Sequence, residues 1–115
     1  MTEKPIFWVG SSLEDLRRFP EEARRSAGHQ LHLIQQGLEP YDWRPMPSVG
    51  SGVCELRIHT RGEYRVFYIA KYPESVYVLH AFEKKSRRTE QRDIDLAKRR
   101  LTQVIRQRRS LRDGG

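Results

Sequence analysis

Four cations lie at or near the ends of three predicted strands between residues 54 and 89. They are Arg57, Arg65, Lys84 and Lys85. Side chains alternate between the two faces of a strand, and short hairpins join these strands. We therefore expect the four cations to meet on one concave surface. Guanidinium and ammonium groups gathered in this way neutralise phosphate charge, so the pattern favours a polyanion as ligand, above all RNA.

The composition indicates one small basic domain. The chain has 115 residues, a net charge of +7 and a pI near 10.0. We expect a single domain over residues 1–115 with an anionic partner, although a charge that serves only solubility is the alternative. There is no apolar run of roughly 18 residues and no signal-peptide pattern, so we expect a cytoplasmic protein without membrane contact. The single cysteine, Cys54, predicts a small core residue, no disulfide and no structural metal, and we expect no cofactor.

The first half of the chain predicts a strand and two helices. An apolar run at 6–9 is typical of a strand, and Ser12 followed by Asp15 resembles a capping box for a short helix. Pro20 opens a second helix, which Gly37 ends. The stripe of this helix is Ala23, Ala27, Leu31, Ile34 and Leu38. Three prolines and no periodicity predict a loop over 39–52.

The second half predicts a meander and a final helix. Strands are expected near 53–59, 64–71 and 76–82, and Thr89 is the expected N-cap of the helix. The apolar stripe of this helix is Ile94, Ala97, Leu101, Val104 and Ile105. Its end, about 110–115, is expected to fray. The order β-α-α-β-β-β-α predicts an α+β fold, a small antiparallel-rich sheet with an N-terminal helical hairpin and a C-terminal helix, in which the first strand joins the meander.

Several of these segments together resemble a known toxin family. They are Glu55-Leu56-Arg57, Gly62, Tyr64–Tyr68 (YRVFY), Leu79–Lys85 (LHAFEKK) and Thr89. In order and spacing they resemble RelE/HigB-type toxins of the RelE/ParE superfamily, closest to its phage-associated branch, over nearly the whole chain. The resemblance implies a RelE-like fold and an endoribonuclease that cuts mRNA in the ribosomal A site. It also implies a cognate antitoxin, often a small helix-turn-helix protein, as partner.

The resemblance assigns roles to the four cations. Arg57 and Arg65 would hold the phosphate and its transition-state charge, because a guanidinium can bind two phosphate oxygens. One of Lys84 and Lys85 would act as base, since crowded cations lower the pKa of a lysine. The alternative for the arginines is a solvated sheet face or cross-strand ion pairs with Glu55 or Glu63. We expect Arg65→Ala and Lys84→Ala to relieve toxicity and to leave the fold intact.

The general acid stays open. His59, at a strand end, is a further catalytic candidate, whereas His80 lies in an apolar run and is expected to be a hydrogen-bonded core residue. Many relatives carry a catalytic Tyr or His in the C-terminal segment, but no Tyr or His follows His80 here. The remaining candidates for the acid are Lys84, Lys85, His59, Tyr64 and Tyr68.

Further cations are candidates for RNA contacts outside the catalytic surface. They are Arg61, Arg87, Arg88, Lys98 and Arg99. Such side chains would contact phosphates without reading sequence. The alternative is an amphipathic helix with a solvated basic face.

Three functions therefore remain open from the sequence. The first is a ribosome-dependent mRNA endonuclease toxin, favoured by the paired lysines and the basic sheet face. The second is a ParE-like inhibitor of DNA gyrase without nuclease chemistry, favoured by the missing C-terminal Tyr or His. The third is a non-toxic nucleic-acid-binding module.

Overall fold

Five strands and three helices make up the computed structural model, which describes residues 3–114. In chain order they are β1 (Ile6–Trp8), α1 (Ser12–Arg17), α2 (Glu21–Gln35), β2 (Trp43–Pro45), β3 (Val53–His59), β4 (Glu63–Ile69), β5 (Val76–Glu83) and α3 (Gln91–Gly114). This arrangement confirms the predicted α+β fold with its N-terminal helices and its C-terminal helix.

The five strands form one mixed sheet in the order β1-β5-β4-β3-β2. The predicted meander of β3, β4 and β5 is antiparallel, because each pair of strands is joined by a short turn. β1 joins the sheet as predicted and runs parallel to β5, with Ile6 opposite Val76. The long connection through α1, α2 and β2–β4 makes this parallel pairing possible.

The predicted loop over 39–52 is wrong in one respect, since it contains strand β2. β2 pairs antiparallel with β3, and Arg44 lies opposite Glu55. A strand of three residues that ends in Pro45 has too little alternation to be recognised from its sequence. Pro45 is tolerated there because β2 is an edge strand, whose outer side needs no donor.

Each face of the sheet is covered by a different helical layer. Leu56 and Val66 point to the face that packs against α1 and α2, where Leu31 is buried. Phe67 and Ile69 point to the opposite face, which packs against α3. We call this second face the α3 face, and on β3 it carries Val53, Glu55, Arg57 and His59. Cys54 lies on β3 as predicted and is half-buried against the first core.

Two predicted N-caps are wrong. α1 begins at Ser12 with Ser11 as N-cap, and the Ser12 hydroxyl is buried and donates to the Val78 carbonyl (3.2 Å). α3 begins at Gln91, whose preceding residue is Glu90, and the buried Thr89 hydroxyl has no hydrogen-bond partner among the described residues. For α1 the two adjacent serines offer the same pattern, and Ser12 lies inside the helix because its buried hydroxyl bonds to β5.

The helix ends follow the sequence more closely. α2 ends at Gln35, and Gly37 adopts φ +79° with its N–H bonded to the Ile34 carbonyl, so the predicted stop is confirmed. Leu38, expected on the apolar stripe, lies beyond this stop and is 55% exposed. Residues 110–114 continue α3 where we expected a frayed tail, because no helix-breaking residue precedes Gly114; Gly115 lies outside the described residues.

Among residues 3–114, no helix is long and apolar enough to cross a bilayer.

Candidate functional site

Strand register brings three of the predicted cations together on the α3 face. Arg57 on β3 lies opposite Arg65 on β4, which in turn lies opposite Phe82 on β5. Lys84 follows directly after β5, and its backbone N–H donates to the Glu63 carbonyl (2.7 Å). The three neighbouring strands therefore present one cation each at the same end of the sheet.

A buried carboxylate lies at the centre of these cations. Glu55 is 0% exposed, and its Oε1 accepts a hydrogen bond from Arg44 Nε (2.8 Å). The same oxygen lies 4.0 Å from Arg57 Nε, and Oε2 lies 3.8 Å from Arg65 Nε. One negative charge faces three guanidinium groups, so positive charge remains in excess. We call the following residues the basic cluster: Arg44, Glu55, Arg57, Arg65 and Lys84.

Arg65 lies inside the protein, which corrects its predicted role. Its side chain is only 3% exposed, and its Nη1 donates to Glu63 Oε1 (3.1 Å) and to the Tyr64 carbonyl (3.0 Å). A guanidinium enclosed in this way does not face solvent and so cannot grip a phosphate as we expected. The structure contains the alternative from the sequence: Arg65 forms a cross-strand ion pair with Glu55 on β3 and a second ion pair with Glu63 on its own strand. Arg65 therefore lies in contact with Glu55, Glu63 and the Tyr64 carbonyl, and its side chain is shielded from solvent.

Arg57 and Lys84 are the members of the predicted set that reach solvent from the cluster. The Arg57 side chain is 33% exposed, and Lys84 is partly exposed. Burial, followed by the charge of Arg65, lowers the pKa of Lys84, and the other two arginines add to the effect while Glu55 opposes it. A lowered pKa increases the fraction of neutral amine near neutral pH, which is the form that accepts a proton.

Lys85 lies outside the cluster but beside it. Its side chain is 77% exposed, and its Nζ is 3.9 Å from a Glu83 carboxylate oxygen. Lys84 and Lys85 both line a cleft of about 240 Å³ between the end of β5 and the start of α3. The predicted lysine pair thus lines one polar cleft.

His59, a predicted catalytic residue, is held between two carboxylates. Its Nε2 lies 2.6 Å from Asp42 Oδ2, and its Nδ1 lies 2.8 Å from Glu63 Oε1. The hydrogen bond to Asp42, then the one to Glu63, raises the pKa of His59 and so favours the imidazolium. Because both ring nitrogens are occupied, His59 joins the segment before β2 to the β3–β4 hairpin and is poorly placed to exchange protons with a substrate.

His80 is the hydrogen-bonded core residue that the sequence predicted. Its side chain is 8% exposed, its Nε2 lies 2.7 Å from Asp93 Oδ1, and its ring stacks on Phe82 at 4.8 Å between centroids. Burial lowers the pKa of His80. Since Asp93 lies in the first turn of α3, this bond fixes the start of the helix next to the cleft.

A match to the model of a known protein family identifies the family of this chain. The family model for phage-derived Gp49-like proteins (DUF891) matches residues 14–102. The chain belongs to this family. The Gp49-like family is RelE-toxin-like, which agrees with the phage-associated resemblance of the sequence. The match spans α1 to α3 and includes every residue of the basic cluster. No curated protein matches the chain.

The outer RNA contacts predicted for this Gp49-like protein are all exposed. Arg61 lies in the β3–β4 turn, and Arg87 and Arg88 lie between β5 and α3, where Arg88 lines the cleft. Lys98 and Arg99 lie about two turns into α3 on its solvent side. The five residues lie on three different segments, namely the β3–β4 turn, the β5–α3 connection and α3, and their contact with RNA stays a prediction.

Sequence reasoning missed two members of the basic cluster. Arg44 lay in a predicted loop, and the prolines at 45 and 47 removed any pattern that would have placed it on a strand. Glu55 was considered only as a salt-bridge partner. Its spacing of two residues from Arg57 was the available signal, because residues i and i+2 of a strand share a face.

Proposed function

We propose that this member of the Gp49-like family is the toxin of a type II toxin–antitoxin system. It inhibits translation by cutting mRNA on the ribosome, in a reaction that its own side chains perform without a metal ion. Membership of a RelE-toxin-like family supports the toxin class. The observation that carries the chemistry is Lys84, whose pKa is lowered by burial and by the charge of Arg65. It lies at the same end of the sheet as partly exposed Arg57, which suits a base near a phosphate-binding cation.

The proposed reaction starts at the 2′-hydroxyl of the nucleotide before the scissile bond. The neutral amine of Lys84 accepts the hydroxyl proton, and the 2′-oxygen bonds to phosphorus while the bond to the 5′-oxygen breaks. Arg57 stabilises the charge that develops on the phosphate oxygens. The Lys85 ammonium, which lines the same cleft, donates a proton to the departing 5′-oxygen. The products are a 2′,3′-cyclic phosphate and a 5′-hydroxyl.

Arg65 and Glu55 support this reaction from inside the protein. Their ion pair holds the side chains next to Arg57, and the Arg65 charge adds to the effect of burial in lowering the pKa of Lys84. Pre-organised charge of this kind needs no rearrangement during the reaction, which is why it is effective in enzyme sites.

The partners follow from the same charge distribution. Ribosomal RNA would meet exposed cations such as Arg87, Arg88 and Arg99 through its phosphates. A cognate antitoxin would block the toxin either by covering the basic cluster with an acidic segment or by docking a helix near α1 and α2 and so excluding the ribosome. A small helix-turn-helix protein is the expected antitoxin.

The nuclease is tested with purified protein and ribosomes programmed with a defined mRNA. We expect cleavage that leaves 2′,3′-cyclic phosphate and 5′-hydroxyl ends and that is lost in Lys84→Ala. Lys71→Ala is the matched control, because Lys71 is exposed just beyond the opposite end of β4. Intact mRNA with wild-type protein would reject the nuclease proposal.

One observation favours a gyrase inhibitor as the second candidate. No Tyr or His follows His80, so a side chain that many related nucleases use is missing. Growth arrest with broken chromosomal DNA and intact mRNA would identify this function.

A further inference from the structure

Arg44 extends the basic cluster onto strand β2. It lies opposite Glu55 in the β2–β3 register, and its Nε donates to the Glu55 carboxylate (2.8 Å). The side chain therefore lies over the α3 face, next to Arg57. Because Glu55 is fully buried and cannot move freely, this hydrogen bond holds the Arg44 guanidinium in one orientation.

The outer part of this guanidinium is free to bind a ligand. The Arg44 side chain is 50% exposed, and only its Nε is used by Glu55. Among residues 3–114, no other side chain accepts a hydrogen bond from Arg44. Its two terminal nitrogens can thus bind two oxygens of one phosphate, as guanidinium groups commonly do.

The cations of the basic cluster are spread over a greater distance than the width of a single phosphate group. Arg44, Arg57 and Arg65 lie on β2, β3 and β4, and Lys84 follows β5, so four adjacent strands carry one cation each. Three strand spacings span about 14 Å. Arg65 is buried, so the cations that this row presents to solvent are Arg44, Arg57 and Lys84. They extend over a length that can face more than one phosphate of a nucleic-acid strand.

We infer that Arg44 forms a second phosphate subsite, which binds the phosphate next to the one held by Arg57 and Lys84. The inference rests on the proposed function, because it assumes that the cluster binds RNA. Its ligand is a phosphodiester in an extended single strand. The competing explanation is that Arg44 only neutralises Glu55.

The test measures binding of a single-stranded 2′-O-methyl RNA, which cannot be cleaved. Affinity is determined over a range of salt concentrations for wild type, Arg44→Gln, Arg44→Lys and Arg25→Gln. Arg25 lies on α2, on the other side of the sheet, and its replacement by Gln changes the net charge by the same amount as Arg44→Gln. We expect the slope of log affinity against log salt to fall by roughly 0.7 in Arg44→Gln, the value for one phosphate on a single strand. The slope should stay unchanged in Arg44→Lys and Arg25→Gln.

A neutral phosphate analogue tests the subsite directly. Methylphosphonates placed one at a time along the RNA should identify a position that weakens binding to wild type but not to Arg44→Gln. If Arg44→Gln does not fold, as judged by thermal unfolding, the same scan is made with wild type and Arg44→Lys. Two adjacent sensitive positions support the subsite, and a single one overturns it.

The failure of this inference differs from the failure of the proposed function. If Arg57→Gln and Lys84→Ala weaken RNA binding while Arg44→Gln does not, the subsite alone is wrong. If all three variants bind like wild type, the RNA-binding surface of the proposed function is wrong as well.

Discussion

Arg57 and Arg65 lie directly opposite each other across β3 and β4. Like charges in this position destabilise a sheet, but Glu55 lies 4.0 Å from the first guanidinium and 3.8 Å from the second. The buried carboxylate offsets part of their repulsion, and the excess of positive charge acts on Lys84. The same arrangement therefore offsets repulsion at this end of the sheet and, after burial, contributes to the lowered pKa of Lys84.

Arg65→Ala should destabilise the protein, whereas Lys84→Ala should leave stability nearly unchanged. Removal of the Arg65 side chain breaks its ion pairs with Glu55 and Glu63 and leaves a void in the sheet end. Because Glu55 keeps Arg44 as a partner, we expect a cost below the roughly 3–5 kcal/mol of a buried charge that loses its partner entirely. For Arg65→Ala this prediction replaces the expectation from the sequence that the fold stays largely intact. Urea unfolding of the two variants beside wild type measures the difference, and equal midpoints would show that Arg65 carries no such structural role.

The pH dependence of cleavage should report the pKa of Lys84. As a base, Lys84 acts in its neutral form, so the rate rises with pH up to that pKa. Arg57→Gln removes one of the charges that lower the pKa, so the rising part of the profile should move to higher pH in that variant. Single-turnover cleavage across pH 6–10 measures it. A profile that keeps its position while the rate falls would mean that Lys84 is not the titrating group.

His59 should make stability depend on pH with a defined sign. Hydrogen bonds to Asp42 and Glu63 raise the pKa of His59, so its contribution is complete below the unfolded pKa of about 6.5 and is lost as pH rises through the folded value. The pKa values of both carboxyl groups are lowered, so their contribution is lost as pH falls below about 4. The three groups together should stabilise most between these limits, by no more than about 1 kcal/mol because they are half-exposed.

The variant His59→Gln isolates this effect. We expect the free energy of unfolding to differ most between wild type and His59→Gln near pH 6, and the difference to shrink towards pH 9. The pKa of buried His80 is shifted in the opposite direction, but His80 is present in both proteins and cancels. If the difference in the free energy of unfolding between the two proteins does not change with pH, His59 does not form the predicted ion pairs with Asp42 and Glu63.

Gly10→Ala should loosen the contact between α1 and α3. Gly10 has φ +56°, and a Cβ there would lie 2.8 Å from Arg100 Nε. The two terminal nitrogens of the Arg100 guanidinium donate hydrogen bonds to the Leu79 carbonyl and to the Ser11 hydroxyl. The backbone conformation alone costs about 1–2 kcal/mol with a side chain. Gly28→Ala is the control, since it lies inside α2 with open space around it and should stabilise by about 0.5–1 kcal/mol. Chemical denaturation that gives both variants the same sign would contradict this account.

Much of the fold could be predicted because its signals are local. Alternation located β3, β4 and β5, and spacing of three and four residues located the buried side of α3, including Ala97 and Leu101. β2 could not be predicted, since three residues ending in Pro45 carry no period. Strand β2 forms by pairing with the edge of β3 that β4 leaves free.

The site was predicted less completely, because the alternation of side chains along a strand indicates the sheet face on which a residue lies but not how deeply that residue is buried. Arg57 and Arg65 share a face, yet one is partly exposed and the other is buried, and this depends on how neighbouring strands and side chains cover each position. The same limit applies to His59, whose two carboxylate partners are distant from each other in sequence. Arg44 could not be predicted as a site residue because strand β2, on which it lies, could not be predicted.

Mapping of mRNA 5′ ends after induction of the protein in bacteria, with Lys84→Ala and Lys71→Ala induced in parallel, is the sharpest test of the proposed nuclease. We expect new cuts within translated regions for wild type and Lys71→Ala, and none for Lys84→Ala at equal protein levels. Unchanged mRNA in cells that stop growing, or cuts that persist in Lys84→Ala, would contradict the proposed nuclease.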